Sequence, residues 1–183
     1  MRIAFVLPGL HCVVRGAEVA FEAIAHELSQ YDDCEVTLFG AGQPRPDDSY
    51  HFIHVGKRDR QNFEAWPQIP LFRNEYVYEE FTFALNLWKQ YDPQDFDITV
   101  TCSYPFVNWV LTRKGGKQRP AHVFVTQNGD HPAQSNQSEY RFFDCEGLIC
   151  TNPEYFQTNE QQWCCQLITN GVYPDKFKPQ AID

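Results

Sequence analysis

An open α/β fold, a twisted parallel sheet with helices on both faces, is the architecture this sequence predicts. Two observations carry that expectation. Segments of strand character alternate with segments of helix character along the chain, and the strands read as continuous apolar runs instead of period-two alternation. Strands of that kind are buried on both sides, as parallel strands in a sheet covered by crossover helices must be.

The elements follow in order. Residues 2–7 form a continuous apolar strand. Residues 17–31 form a helix whose Ala17, Phe21, Ile24, Leu28 and Tyr31 make one buried stripe, with Glu18, Glu22 and His26 on a separate polar row. Residues 35–39 are a second strand, closed by Gly40-Ala41-Gly42-Gln43-Pro44, and 50–55 a third. An irregular stretch, 56–70, leads into a helix over 73–90 with Val77, Phe81, Leu85 and Trp88 facing inward. The alternation then resumes: strand 97–102, short helix 106–112, strand 121–126, short helix 138–143, strand 147–151. Helix 153–160 opens on proline in its first turn, and strand 166–169 precedes Asn170-Gly171.

Composition narrows the functional classes. The 183 residues, 43% hydrophobic and 21% charged, fit one globular domain, and a domain of this size needs no disulfides to hold it. The apolar runs are far shorter than the ~20 residues that span a bilayer. The formal charge is −9, with −6 on residues 1–92 and −3 on the rest, so no basic stripe invites nucleic acid. The short cluster Arg113-Lys114-Lys117-Arg119, broken by Gly115-Gly116, reads as a solvated turn. The N-terminus is too short an apolar stretch for a secretory signal, and the seven scattered cysteines, with no Cys-x-x-Cys, read as reduced cytosolic thiols.

Ligands of open α/β sheets bind beyond the carboxyl ends of the strands. That rule selects the loop 8–16 after the first strand, 40–43 after the second, and Cys102-Ser103-Tyr104 after the fourth. It also selects Gln127-Asn128-Gly129-Asp130-His131 after the fifth and Thr151-Asn152 after the sixth. Their small, amide and hydroxyl residues suit a polyhydroxylated or phosphorylated ligand, although turn formation alone would also favour them. A dinucleotide fingerprint is absent: Gly9 and Gly16 stand seven apart, and no acid ends the second strand. No Gly-Lys-Ser/Thr is present either. What remains is Arg15-Gly16-Ala17-Glu18 at a helix start, where backbone N–H groups favour an anion. No metal is predicted: His51 and His54 point to opposite sides of a strand. Only His131, just past a strand end, is a candidate catalytic histidine.

Two segments carry a resemblance. Pro8-Gly9 through Arg15-Gly16-Ala17-Glu18 resembles the N-terminal loop and first helix of family 4 glycosyltransferases with the GT-B fold. Ile168-Thr169-Asn170-Gly171-Val172-Tyr173-Pro174, continuing to Phe177-Lys178-Pro179, looks like the segment that closes their N-terminal Rossmann-like domain. The resemblance implies one half of a GT-B fold: a Rossmann-like, acceptor-side domain over 1–172, the start of an interdomain linker over 173–183, and an absent C-terminal donor-binding domain. It implies a retaining enzyme that moves a sugar from a nucleotide-sugar donor to a sugar or glycan acceptor without a metal or other cofactor in this domain. Gly16 would approach the donor diphosphate; Arg15, where the family commonly has a second glycine, would either add a charge near the phosphates or point outward; and Glu18, Ser103, Tyr104, Gln127, Asn128 and Asp130 would meet the acceptor or sugar. Alone the domain would be inactive, and its place cytoplasmic, peripheral at the inner face of the membrane. The family's Glu-x7-Glu pair belongs to the C-terminal domain; Glu146–Glu154, which spans a predicted strand, and Glu27–Glu35 match the spacing here, and both are rejected as chance matches. The family's histidine after the fifth strand is replaced by Gln127-Asn128, which leaves the catalytic group open. The competing class is a stand-alone, non-catalytic Rossmann-like domain that binds a phosphorylated or sugar ligand.

Overall fold

A computed structural model of the chain describes residues 1–65, 74–127 and 143–171. Its strands are β1 (Arg2–Val6), β2 (Glu35–Gly40), β3 (His51–His54), β4 (Ile98–Thr101), β5 (Ala121–Thr126), β6 (Gly147–Cys150) and β7 (Cys165–Leu167). All pair in parallel in the order β3-β2-β1-β4-β5-β6-β7. The helices are α1 (Gly16–Leu28), α2 (Glu75–Gln90), α3 (Phe106–Arg113) and α4 (Pro153–Asn159). The protein is thus a Rossmann-like parallel sheet with helices on both faces. Of the expected helix over 138–143, residues 138–142 lie outside the described residues, as do 172–183 of the closing segment.

The pleat sorts the core. Ile3, Phe5, Val36, Leu38 and Val100 point to one face, where Ala17, Phe21 and Ala25 of α1 cover them. Ala4, Val6 and Phe39 point to the other, under Phe83, Leu87 and Tyr91 at α2 and Val107 and Leu111 of α3. Further along that second face, Phe124, Leu148 and Cys150 pack with Phe143, Tyr155 and Trp163. The chain steps one way from β1 to β2 over α1 and the other way from β4 to β5 over α3. Placing those helices on opposite faces is what a constant right-handed crossover requires.

Two helix phases differ from the sequence expectation. On α1, Ile24 is 43% exposed and Tyr31, beyond the helix end, 62%, while the inner row runs Ala17, Phe21, Ala25 and takes in Glu18. On α2 the inner row is Glu80, Phe83, Ala84, Leu87, and Leu85 and Trp88 face outward. On α1 the expected Ala17, Phe21 and Leu28 do pack on the sheet and only Ile24 and Tyr31 turn outward, whereas on α2 the outward apolar stripe lies about one residue out of register with the inner one. Sheet contact decides between them, because the strands leave apolar surface on only one side of each helix. The stretch expected to be irregular contains a 3₁₀ helix at Arg60–Ala65.

A polar thread crosses the second face. His122 of β5 is fully buried, with Nδ1 2.9 Å from Thr99 Oγ1 and Nε2 3.2 Å from the Asn108 amide nitrogen. The amide also donates to the Asp144 carbonyl at 3.0 Å. An amide N–H donated to Nε2 requires that nitrogen to be bare, so the ring is neutral and Nδ1–H donates to Thr99. Burial pushes the His122 pKa down to about 3, with the Arg119 charge adding to it.

Because the folded pKa lies below the unfolded value of 6.5, stability from the neutral ring is complete above pH 6.5 and is lost as the unfolded state takes up a proton below it. Urea midpoints of the wild type should fall between pH 6.5 and 5, approaching ~1.4 kcal/mol per pH unit. His122→Gln should be less stable at pH 7 but nearly flat over that window. A wild-type profile equally flat there would show that His122 is already charged in the folded protein.

Candidate functional site

The loops after β1 and β4 diverge where the strand order reverses, the place where open parallel sheets form their crevice. A cavity of about 580 Å³ opens there. Leu7 and Pro8 follow β1, and Cys102, Ser103 and Tyr104 follow β4. Arg15, Gly16, Ala17 and Glu18 at the start of α1 form one wall, and Arg60, Tyr76, Glu79 and Glu80 another; Gln127 and Asn170 close the side. Six residues expected from sequence meet in this one cavity: Arg15, Gly16, Glu18, Ser103, Tyr104 and Gln127. Asn128, Asp130 and His131 lie outside the described residues.

The α1 wall is built by packing. Arg15 occupies the N-cap position without capping the helix through its side chain. Its Nη2 and Nε instead donate to Glu18 Oε1 at 2.6 and 3.1 Å. Glu18, expected on the polar row, is 2% exposed and is the buried partner of this pair. The first-turn N–H groups of a helix have no intrahelical acceptor, so 16–18 present donors toward the cavity. The two glycines of this loop serve different ends. A Cβ on Gly9 would stand 1.9 Å from Glu18 Oε1 and 2.7 Å from Arg15 Nη2, so Gly9 makes room for the pair. A Cβ on Gly16 would meet nothing within 4 Å, so its missing side chain leaves open space beside the helix start.

The α2 wall holds two buried carboxylates, each saturated differently. Glu79, 6% exposed, takes Lys57 Nζ at 2.8 Å and Arg60 Nη2 at 2.9 Å. Burial is the largest single effect on Lys57 and opposes its charge, but the hydrogen bonds to Glu79 and Asp59 and the attraction of Glu79 together outweigh it and raise the Lys57 pKa. Arg60 also stacks over the Tyr76 ring, 3.8 Å from its centroid. Removing a buried carboxylate that holds two cations would cost about 3–5 kcal/mol. Glu80 accepts from Ser103 Oγ at 2.9 Å and, more weakly, from the Val107 N–H at 3.4 Å, fixing the β4–α3 turn to α2. Across the cavity, the Gln127 and Asn170 amides exchange two hydrogen bonds of 3.1 Å, tying the loop after β5 to the segment after β7.

No family model and no curated protein matches the sequence. Among solved structures the chain is similar to the lipopolysaccharide outer core galactosyltransferase WaaB in its apo form. The TM-score is 0.50 at 11% identity, over 94% of this chain and 46% of that one. The fold is one that glycosyltransferases use. The chain is also similar to WaaG, a glycosyltransferase involved in lipopolysaccharide biosynthesis, with TM-score 0.45 and 14% identity over 95% of this chain and 46% of that one. It therefore spans just under half the length of either.

Arg60, Tyr76, Glu79, Glu80 and Asn170 were not singled out from the sequence as site residues. Asn170 sits in the Asn-Gly that carried the family resemblance, which was a usable signal. The adjacent acids Glu79-Glu80 belong to no motif that sets them apart from ordinary helix surface. Only the charges at Lys57 and Arg60, in the segment ahead of the helix, hinted that one acid has buried cationic partners. Glu146, rejected as catalytic, precedes β6 at the opposite edge of the sheet, where Arg119 grips it with hydrogen bonds of 2.7 and 2.6 Å.

The contrast between the two glycines is measurable. Gly9→Ala should lower stability by about 1–3 kcal/mol in urea unfolding, the usual cost of forcing atoms into filled space. Gly16→Ala should leave stability unchanged or raise it by up to ~1 kcal/mol, since alanine favours the helix. Equal destabilisation by both would mean the helix start is packed as tightly as the loop before it.

Proposed function

We propose that the chain is the N-terminal, acceptor-side domain of a retaining GT-B glycosyltransferase, transferring a sugar from a nucleotide-sugar donor to a sugar or glycan acceptor. The observation that supports this best is the cavity at the strand-order reversal. Unpaired helix N–H groups and an arginine stand on one side of it, with hydroxyl, amide and carboxylate groups on the other. The fold shared with glycosyltransferases supports the same reading.

In this reading residues 1–172 form the domain and 173–183 begin a linker to a C-terminal domain that binds the nucleotide. The donor diphosphate meets the N–H groups of 16–18 and Arg15, whose charge and helix dipole stabilise the leaving group as it departs. The open space at Gly16 admits the phosphates close to the backbone. Arg15 is held by Glu18 from behind, so it is already oriented when the donor arrives and little ordering is required of it. Ser103, Tyr104 and Gln127, with Asn128 and Asp130 of the following segment, hydrogen-bond hydroxyls of the acceptor or the transferred sugar. Glu80 sets the Ser103 hydroxyl, and the Arg60–Glu79 pair lines the acceptor side. His131 is the candidate for a catalytic histidine, and the domain itself supplies no metal. The enzyme works in the cytoplasm, at the inner face of the membrane.

Sugar transfer measured with a panel of nucleotide sugars tests the division of labour. The 183 residues alone should transfer at background. A two-domain enzyme carrying this domain should turn over, and Arg15→Met should lower its kcat by roughly 10–100-fold with little change in acceptor KM, the signature of lost transition-state stabilisation. Efficient transfer by the isolated 183 residues, or an Arg15→Met enzyme with unchanged kcat, would sink the proposal.

A further inference from the structure

Ser103 lines the cavity just past β4, and both of its hydrogen-bond donors point away from a ligand. Its backbone N–H goes to Thr101 Oγ1 at 3.1 Å. Its hydroxyl donates to Glu80 Oε1 at 2.9 Å. The same Oε1 receives the Val107 N–H at 3.4 Å, so this oxygen serves as the acceptor of two converging donors. A serine hydroxyl has one hydrogen and two lone pairs. With the hydrogen on Glu80, Ser103 Oγ has only lone pairs left for the cavity. Glu80 is 9% exposed and fixed on α2, so the arrangement is set by packing.

The wall at the start of α1 has the opposite polarity. The first-turn N–H groups of 16–18 have no intrahelical acceptor, and the Arg15 guanidinium beside them is a donor only. An oxyanion therefore seats at α1. Against Ser103 it would meet an oxygen lone pair with a carboxylate behind it. A hydroxyl or a protonated amine seats at Ser103, because it brings the hydrogen that this oxygen lacks. The two walls thus tell the ends of a ligand apart by the direction in which hydrogen bonds run.

We propose that Ser103 is a specificity-determining residue that accepts a hydrogen bond from one hydroxyl of the bound sugar, and that Glu80 is the positioning residue that makes it an acceptor only. The inference rests on the sugar-transfer reading above and sharpens its substrate class. The sugar carries a free hydroxyl or an amine at the carbon that meets Ser103, and a deoxy, fluoro or O-acyl group there is refused. Refusal is strong because the half-buried Ser103 oxygen, once covered by such a group, has neither a ligand hydrogen nor water to bond.

Titration of the ¹⁵N-labelled chain with α-glucose 1-phosphate and α-galactose 1-phosphate tests this, since each offers a phosphate to the α1 wall and hydroxyls to Ser103. Each is compared with its monofluoro analogues at C2, C3, C4 and C6, in which fluorine replaces one hydroxyl at similar size but brings no hydrogen. At least one of the two sugars should bind saturably, and fluorine at one carbon should weaken it by about tenfold or more while the other analogues change little. Ser103→Ala should bind that analogue and its parent alike. Glu80→Ala leaves the serine hydrogen free to turn to the cavity, so the fluorine penalty should largely disappear. Glu80→Gln keeps an acceptor oxygen in place and should retain the penalty, a rescue that loss of packing alone would not produce. Melting curves check that the variants fold, and the fluorine comparison on the wild type needs no variant. The proposal is overturned if neither hexose phosphate binds, if no single fluorine is penalised, or if the penalty survives in Ser103→Ala or Glu80→Ala. It is also overturned if inorganic phosphate binds as tightly as both hexose phosphates, since the sugar would then make no contact. Any of these results would leave sugar transfer by the two-domain enzyme to stand on its own assay, and absence of transfer would leave a fluorine penalty at Ser103 standing.

Discussion

Everything at the candidate site depends on β1 being hydrogen-bonded in parallel to β2 on one side and to β4 on the other. The chain leaves β1 in one direction and, after β3, returns to its opposite flank. The loops after β1 and β4 therefore turn away from each other and cannot close the gap between them. A buried hydrogen bond, from Thr101 Oγ1 to the Val6 carbonyl at 2.6 Å, fastens the two strands at the point where their loops part. The same hydroxyl accepts the Ser103 N–H at 3.1 Å, so the first residues beyond β4 are aimed as soon as the strand ends. The cavity is what parallel pairing with this strand order leaves behind.

Polar groups placed in such a gap must be satisfied or they destabilise the fold. The protein meets that condition with pairs in which a buried acid holds a less buried partner: Glu18 with Arg15, Glu79 with Lys57 and Arg60, Glu80 with Ser103. In each pair the carboxylate contributes orientation: Arg15 and Arg60 stand toward the cavity with guanidinium N–H groups to offer, and Ser103, whose one O–H goes to Glu80, offers its oxygen as an acceptor. Rigidity at the site thus comes from behind it, and the surface a ligand would meet is set before the ligand arrives.

Strand positions and strand ends were legible in the sequence because buried parallel strands are continuous apolar runs, and 2–7, 121–126 and 147–151 allow little other reading. The loops they deliver to the cavity followed from the fold class alone. Helix phase was less legible. Residues 75–90 hold apolar side chains at Phe81, Leu85 and Trp88 as well as at Phe83, Ala84 and Leu87, and a 3.6-residue period fits either set. Only the sheet decides, and Leu85 and Trp88 of the losing set face outward. Glu18 was misread for a related reason: an acid on a helix suggests solvent, and burial of this one follows from Gly9 bringing the preceding loop close enough for Arg15 to pair with it. Lys57, Arg60 and Glu79 were hidden because their partnership spans a segment without apolar periodicity, where sequence offers no register to count from.

The central claim is that the reversal-point cavity takes a diphosphate at the start of α1 and hydroxyl-bearing groups opposite. Chemical-shift mapping of the ¹⁵N-labelled chain during titration with inorganic pyrophosphate, then with a nucleotide sugar, tests it most directly. The account predicts saturable shifts of the Gly16, Ala17 and Glu18 amides with pyrophosphate, joined by Ser103 and the Gln127 side-chain amide with the nucleotide sugar. Saturable shifts confined to other surfaces, or none with either compound, would contradict it.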